Sequence, residues 1–114
     1  MKSFELASLR YERSRAEKLY LEFLRVPSLS VGLYELPAGG VDPQGPHAED
    51  EVYYVVSGQA FIRVGAEERE VTPGSVIFVG AGIEHRFFEI VEDLTLLVFF
   101  APAESLPAAR AQAQ

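Results

Sequence analysis

The chain contains no cysteine, and this absence excludes several kinds of chemistry. It has no disulfide, no thiolate to bind zinc and no thiol nucleophile, so its core has to be stable through packing alone. Histidine is scarce too. His47 and His85 are the only 2 imidazoles available to a metal site or to acid–base catalysis.

Long apolar runs are also missing. No stretch reaches the ~18 apolar residues that a membrane helix requires. The first ten residues, MKSFELASLR, lack the basic start and the unbroken apolar core of a signal peptide. A cytoplasmic protein without membrane contact is therefore expected.

Basic residues are few: 10 Lys and Arg stand against 17 Asp and Glu, which gives a net charge of −7. Because nucleic-acid binding depends on cations that neutralise phosphates, a nucleic-acid partner is not expected. The composition is otherwise that of a soluble globule, with 48% hydrophobic residues in a chain of 114, enough for one domain.

Short apolar segments separated by turn-forming residues run through most of the chain. The longest interruption, PAGGVDPQGP at 37–46, holds three prolines and three glycines and predicts a loop. So many short, evenly spaced segments predict an all-β sandwich or barrel. The predicted strands are 18–26, 28–36, 51–58, 59–65, 68–71, 75–80, 84–90 and 94–101.

The two ends of the chain differ from this pattern. Residues 1–17 are predicted to be a lead-in, and the only helical candidate is 8–20. The barrel domain is expected over 18–102. The alanine-rich segment 103–114 has no apolar periodicity and is expected to be a loose tail.

One stretch places a histidine and three acids directly before a strand: GPHAEDEVYYVVSG, residues 45–58. His47 and Glu51 share a face in either a helix or a strand, but Glu49 joins them only with the two-residue period of a strand. The β-branched and aromatic residues that follow favour the strand. His47, Glu49 and Glu51 are therefore predicted to point the same way.

This stretch resembles the first motif of the cupin superfamily, G(x)5HxH(x)3–4E(x)6G, through His47, Glu51 and Gly58. The segment GAEEREVTPGSVIFVGAGIEHRFFE is similar to the second cupin motif, G(x)5–7PxG(x)2H(x)3N, with His85 at the histidine position. The chain departs from the motifs at Gly45 (first histidine), Gly80 (proline) and Glu89 (asparagine).

The resemblance implies a double-stranded β-helix (jelly-roll) barrel with a divalent metal inside it. His47, Glu51 and His85 would bind Fe, Mn, Zn, Ni or Cu. Glu49 is a candidate to replace the missing histidine, with Gln44 or water as alternatives, although it could equally be a surface carboxylate at the barrel mouth. Glu89 shares strand parity with His85, so it is expected either to project inward beside a ligand or to end its strand in solvent.

Three functions fit such a site. The first is a metal-dependent, dioxygenase-like enzyme acting on a small organic molecule, with Glu49 or Glu89 as extra ligand or proton acceptor. The second is a non-catalytic small-molecule-binding barrel, motivated by the lost histidine and asparagine. The third is metal-assisted isomerisation or decarboxylation. A homodimer is expected as well, because Tyr54 and Val56 predict an apolar outer face that needs cover.

Overall fold

The structure, a computed structural model, describes residues 1–105 and consists mainly of antiparallel β-strands. One helix, α1 (Leu6–Ala16), precedes six strands. The strands are β1 (Tyr20–Val26), β2 (Leu29–Leu36), β3 (Asp50–Val64), β4 (Glu67–Val71), β5 (Val76–Val79) and β6 (His85–Ala101). They form one sheet in the order β1-β2-β6-β3-β4, and β5 adds to β3. The predicted all-β architecture is thus confirmed for the part that follows the helix.

Strands β3 and β6 are much longer than predicted. β3 has 15 residues and β6 has 17, so each joins two segments that the sequence predicts as separate strands. The predicted boundary between 58 and 59 lies inside β3, and the predicted break at 91–93 lies inside β6, so the sequence is wrong at both points. Pairing of β3 with β6 is irregular between 55 and 61, and Gly58 has a φ of 98°. The ladder is disturbed there without a reversal of the chain, as in a β-bulge.

The paired strands β3 and β6 bend strongly. A straight strand as long as β6 would measure about 56 Å at ~3.3 Å per residue, whereas the longest dimension of the molecule is 35 Å. The irregular pairing around Gly58 accommodates such a bend. The bent sheet encloses an apolar interior, whose largest fully buried aromatic side chains are Tyr34, Tyr53, Phe87 and Phe100.

The segment predicted as a lead-in contains helix α1, which packs on β1 and β2. Leu9 of the helix is buried. Arg10 and Arg13 bind the carboxylate of Glu35 in β2 through contacts of 2.9 and 2.7 Å. Among residues 1–105, no helix is long and apolar enough to cross a membrane.

The prediction of a loose tail is wrong for residues 103–105, whereas 106–114 lie outside the described residues. Glu104 is only 3% exposed. Its N–H donates to Ser30 Oγ at 2.9 Å, and its carbonyl oxygen accepts a hydrogen bond from Arg25. The N–H of Ala103 donates to the carbonyl of Pro27 at 3.2 Å. This part of the chain is therefore attached to the turn between β1 and β2.

Candidate metal centre

The loop between β2 and β3 is fixed to the interior by one buried acid, Asp42. Its carboxylate accepts hydrogen bonds from the Tyr34 hydroxyl at 2.6 Å and from the Phe87 N–H at 3.0 Å. It also accepts from the N–H of Gln44 at 3.1 Å, within the loop itself. These three bonds satisfy the carboxylate and hold the loop segment that leads to Gln44 and His47.

Glu51 and His85 come together because the β3–β6 ladder bends. Glu51 pairs with Phe100 at one end of the ladder, and His85 pairs with Val64 at the other. Along a straight ladder the two ends would be about 43 Å apart at ~3.3 Å per residue. In the structure, Glu51 Oε1 lies 3.1 Å from His85 Nε2.

His47 joins these two residues from the loop. One ligand atom from each of His47, Glu51 and His85 lies within 4.8 Å of the others. The side chains of Glu51 and His85 are each 1% exposed, and that of His47 is 10% exposed. The structure therefore brings together the three residues that the sequence predicts as metal ligands.

The hydrogen bonds of His85 define which nitrogen faces Glu51. Nδ1 lies 2.9 Å from the carbonyl oxygen of Ile83, which only accepts, so Nδ1 carries the proton. In the neutral ring, Nε2 then directs a lone pair at the Glu51 carboxylate. The neighbours of the Glu51 carboxylate are the His85 ring and the Tyr53 hydroxyl, and among the described residues neither forms a hydrogen bond of normal geometry with it. A buried carboxylate in this position costs several kcal/mol unless a cation is present.

The same electrostatics acts on the pKa of His85. Burial is the largest single influence and opposes protonation, but the Glu51 carboxylate and the Ile83 carbonyl together outweigh it and raise the pKa above 6.5. The site thus attracts positive charge, supplied by a proton or by a metal ion.

Both ring nitrogens of His47 face side-chain oxygens. Nδ1 lies 3.3 Å from Glu104 Oε2, and Nε2 lies 2.8 Å from Gln44 Oε1. The ring packs edge-on against Phe100, with centroids 4.9 Å apart. Contacts on three sides therefore define the orientation of this imidazole.

Tyr53 lies beside the ligands and is fully buried. Its ring is 5.9 Å from that of His85 and packs edge-on against Phe87. Burial first, and the negative charge of Glu51 second, raise the pKa of the phenol well above 10. The hydroxyl stays protonated and remains a hydrogen-bond donor close to the Glu51 carboxylate.

A cavity of about 460 Å³ borders His85 from the outside of the sheet. Its lining includes His85, Gln44 and Gly45 on the ligand side and Arg63 and Arg86 further out. Its volume is in the range of small-molecule sites.

Glu49 lies outside the metal-holding group, and Glu89 has the solvent-exposed position that is one of the two predicted for it. Glu49 precedes β3, so the two-residue period of the strand does not extend back to it. Its side chain is buried, and Oε2 accepts a hydrogen bond from Ser105 Oγ at 2.8 Å. The residue is outside the metal-holding group. Glu89 is exposed and has a φ of 46°. This left-handed residue interrupts the alternation of β6, and Ile90 is buried instead. Of the two alternatives for Glu89, the structure therefore shows the acid in solvent and not the inward neighbour of a ligand.

Two carboxylates near the site are not among the sequence predictions. Asp42 lies in a loop rich in proline and glycine, and Glu104 lies in a segment without periodicity. Neither is marked by a local pattern, because each acts through contacts with residues far away in the chain. Gln44, one of the predicted alternatives for the fourth position, does lie beside His47.

Comparison with known families agrees with this architecture. The family model described as "Cupin domain" matches residues 32–100. The chain belongs to the cupin family. It is 54% identical over 105 residues to the uncharacterized protein SCO3923 of Streptomyces coelicolor, a match that covers 92% of this chain and 100% of that one.

Solved structures show the same fold. TT1209 from Thermus thermophilus is 30% identical with a TM-score of 0.72, over 90% of this cupin and 99% of TT1209. KdgF from Halomonas sp. is 20% identical with a TM-score of 0.69, over 79% and 81% of the two chains. The predicted double-stranded β-helix of the cupin type is thus confirmed.

A larger protein is similar as well. The DMSP lyase DddQ from Ruegeria pomeroyi DSS-3 is 26% identical with a TM-score of 0.62. The match covers 67% of this chain but only 39% of DddQ, so the similarity concerns less than half of that enzyme.

Proposed function

We propose that this cupin is a metal-dependent enzyme that acts on a small organic molecule. His47, Glu51 and His85 would hold one divalent cation. The observation that carries the proposal is the Glu51 carboxylate, which is buried, lacks a hydrogen bond of normal geometry from the described residues and faces the lone pair of His85. Two acceptors in contact away from water require a cation.

The convergence of three ligands supports a metal ion as that cation, because one ligand atom from each of His47, Glu51 and His85 lies within 4.8 Å of the others. The separation between Glu51 Oε1 and His85 Nε2 is 3.1 Å. Two imidazoles and one carboxylate suit iron, and they also suit zinc with a bound water. Manganese, nickel and copper accept the same ligand types.

The fourth position is best filled by Gln44. Gly45 stands where the cupin motif has its first histidine, and the neighbouring Gln44 places its amide 2.8 Å from His47 Nε2. Glu49 is less suitable because its carboxylate binds Ser105. We therefore favour Gln44 over Glu49 as the replacement ligand.

A bound divalent metal supplies Lewis-acid polarisation of a coordinated oxygen and, in the case of iron, dioxygen chemistry. The protein's own groups define how a substrate would lie. The Tyr53 hydroxyl is a buried donor close to Glu51. The nitrogen of the Gln44 amide is a second buried donor, without a partner in the described part of the chain. Arg86, in the cavity lining, is available for an acidic group on the substrate.

The test is metal binding by purified, metal-free protein, measured for Fe²⁺, Mn²⁺ and Zn²⁺ by competition with a chromophoric chelator. We expect about one ion per chain, and a loss of affinity of about 100-fold or more in Glu51→Gln, which keeps the shape of the side chain but removes its charge. Gln44→Ala should weaken binding by roughly 10-fold.

Glu89→Gln is the matched control, because it removes an acid that is exposed, and its affinity should equal that of the wild type. Equal affinity in the wild type and Glu51→Gln would contradict the assignment of the site. Absence of binding in the wild type would instead favour the second candidate, a non-catalytic barrel, which the loss of the first histidine supports.

The reaction class needs a separate measurement. Our first candidate is a dioxygenase-like reaction, as expected from the open two-histidine, one-carboxylate set. The similarity to DddQ, a lyase, favours chemistry without dioxygen, the class to which the isomerase and decarboxylase alternatives also belong. Turnover of a substrate found by screening, compared with and without oxygen, distinguishes them: an oxygenase stops when oxygen is removed.

A further inference from the structure

The segment after β6 returns to the metal centre and places a carboxylate against a ligand. Glu104 Oε2 lies 3.3 Å from His47 Nδ1, and the two side chains are 4% and 10% exposed. His47 Nε2 is on the opposite side of the ring, towards Gln44. The carboxylate thus faces the nitrogen that is not needed for metal binding.

We propose that Glu104 is a positioning residue of the metal site, holding His47 with Nδ1 protonated so that Nε2 presents its lone pair to the cation. The inference rests on the proposed function only for the identity of that cation. A carboxylate that accepts from one imidazole nitrogen fixes the tautomer and the ring orientation and makes the other nitrogen more basic. Loss of such a partner typically weakens metal binding about 10- to 100-fold.

Hydrogen bonds fix the backbone of Glu104 through both its N–H and its carbonyl oxygen. The main chain from which the carboxylate projects is therefore held in place. Its N–H donates to Ser30 Oγ, and Ser30 is fully buried. Its carbonyl oxygen accepts from Arg25, whose guanidinium also binds Glu22 at 2.6 Å. These contacts come from β1 and β2, so the edge of the sheet determines where the Glu104 carboxylate lies.

Gln44 Oε1 faces His47 Nε2, and this contact fits the proposed tautomer either with a cation shared by the two atoms or with the amide turned by 180°. When His47 Nδ1 is protonated, Nε2 is a hydrogen-bond acceptor. If the Gln44 amide is rotated by 180°, its NH₂ group donates a hydrogen bond to Nε2. That nitrogen is otherwise buried without a partner in the described structure. When a cation is bound at Nε2, the amide oxygen can face the cation instead.

The first measurement uses metal-free protein labelled with ¹⁵N-histidine at mildly alkaline pH. Because the chain has only 2 histidines, His47→Ala assigns both sets of ring signals. We expect the wild type to show the Nδ1-protonated form at His47, and Glu104→Ala to shift it towards the Nε2-protonated form. Glu104→Asp, which keeps the charge, should restore part of the wild-type signal.

The second measurement is the metal dissociation constant of the same variants. Glu104→Ala should raise it about 10- to 100-fold, and Glu104→Asp less. Ser105→Ala is the matched control, since it removes a side chain from the same segment that contacts Glu49 rather than His47. Its dissociation constant should be unchanged.

The two measurements distinguish failure of this inference from failure of the proposed function. If the wild type binds metal and Glu104→Ala has the same tautomer and affinity, the inference is overturned and the metal site stands. If the wild type binds no metal, the proposed function fails, and the tautomer alone decides whether Glu104 orients His47.

Discussion

At the scale of single residues, Gly58 shows most directly how backbone geometry makes the site. It lies within β3 at a φ of 98°, where other residues are strained. A Cβ at this position would be 2.3 Å from the carbonyl oxygen of Asp93 in β6. The close approach of the two strands at the bend therefore requires glycine.

We expect Gly58→Ala to lower the free energy of unfolding by about 2–4 kcal/mol, through backbone strain and the forced separation of β3 from β6. Urea denaturation measures this. Gly45→Ala is the control, because a Cβ there meets nothing within 4 Å. If Gly58→Ala lowered the free energy of unfolding no more than Gly45→Ala does, the bend would not depend on glycine.

The sequence predicts some residues of the site and misses others for a physical reason. Glu51 and His85 are identified through motif spacing, and His47 is identified although it lies in a loop rather than on the predicted strand. Glu104 is missed because its role depends on a contact across 57 positions with His47. Strand parity leaves two positions open for Glu89, and its left-handed backbone, which parity does not reveal, is what turns the side chain outward.

At the scale of elements, helix α1 is attached to the sheet largely through Glu35. Besides the two arginines of the helix, Thr95 Oγ1 donates to this carboxylate at 2.7 Å. Burial alone would raise the pKa of Glu35, but the hydrogen bonds from Thr95 and Arg13 and the charge of Arg10 outweigh it and lower the pKa below 4.5.

A lowered folded-state pKa means that Glu35 stabilises the protein above its unfolded pKa and that this contribution is lost as pH falls through the folded value. We expect Glu35→Gln to lose about 1–2 kcal/mol at neutral pH and to approach the wild type in acid. Urea denaturation across this pH range measures the difference. If the difference in the free energy of unfolding between the wild type and Glu35→Gln were the same at all pH values, a role for the charge would be contradicted. Glu68→Gln removes an exposed pair with Arg63 and should change stability by less than ~0.5 kcal/mol.

The elements themselves are predictable from sequence to different degrees. Strand segments are recognised because β-branched and aromatic residues alternate and prolines and glycines separate them. The continuity of β3 and β6 cannot be predicted in this way. Ser57–Gly58 has the composition of a turn, and only pairing with β6 keeps the strand continuous at this point. Local preference and tertiary pairing disagree at that point, and pairing prevails.

At the scale of the whole molecule, part of the sheet's outer face is apolar and exposed. Tyr54 pairs with Val76 across β3 and β5, and the next pair on this face is Val52 with Phe78. Tyr54, Val76 and Phe78 are 40%, 67% and 64% exposed. The sequence predicts such a face at Tyr54. Val56, the other residue predicted for it, is half-buried.

We expect this face to be covered in a homodimer, because an exposed apolar patch of this kind marks an interface. Sedimentation velocity should detect a dimer in the wild type and a shift towards monomer in Val76→Lys. Val91→Lys, at another exposed valine, is the control and should leave the dimer intact. A wild type that stays monomeric at high concentration would contradict the expectation.

The bend of β3 and β6 also has a kinetic consequence. Val64 and His85 are 21 positions apart in the chain, whereas Glu51 and Phe100 are 49 apart, so loop-closure entropy favours pairing that starts near the connection and ends at Glu51. Glu51 and His85 meet only when the whole ladder has formed. A cation shared by them would stabilise contacts that the folding transition state lacks, and would slow unfolding without accelerating folding. The lifetime of the folded chain would then follow the supply of metal.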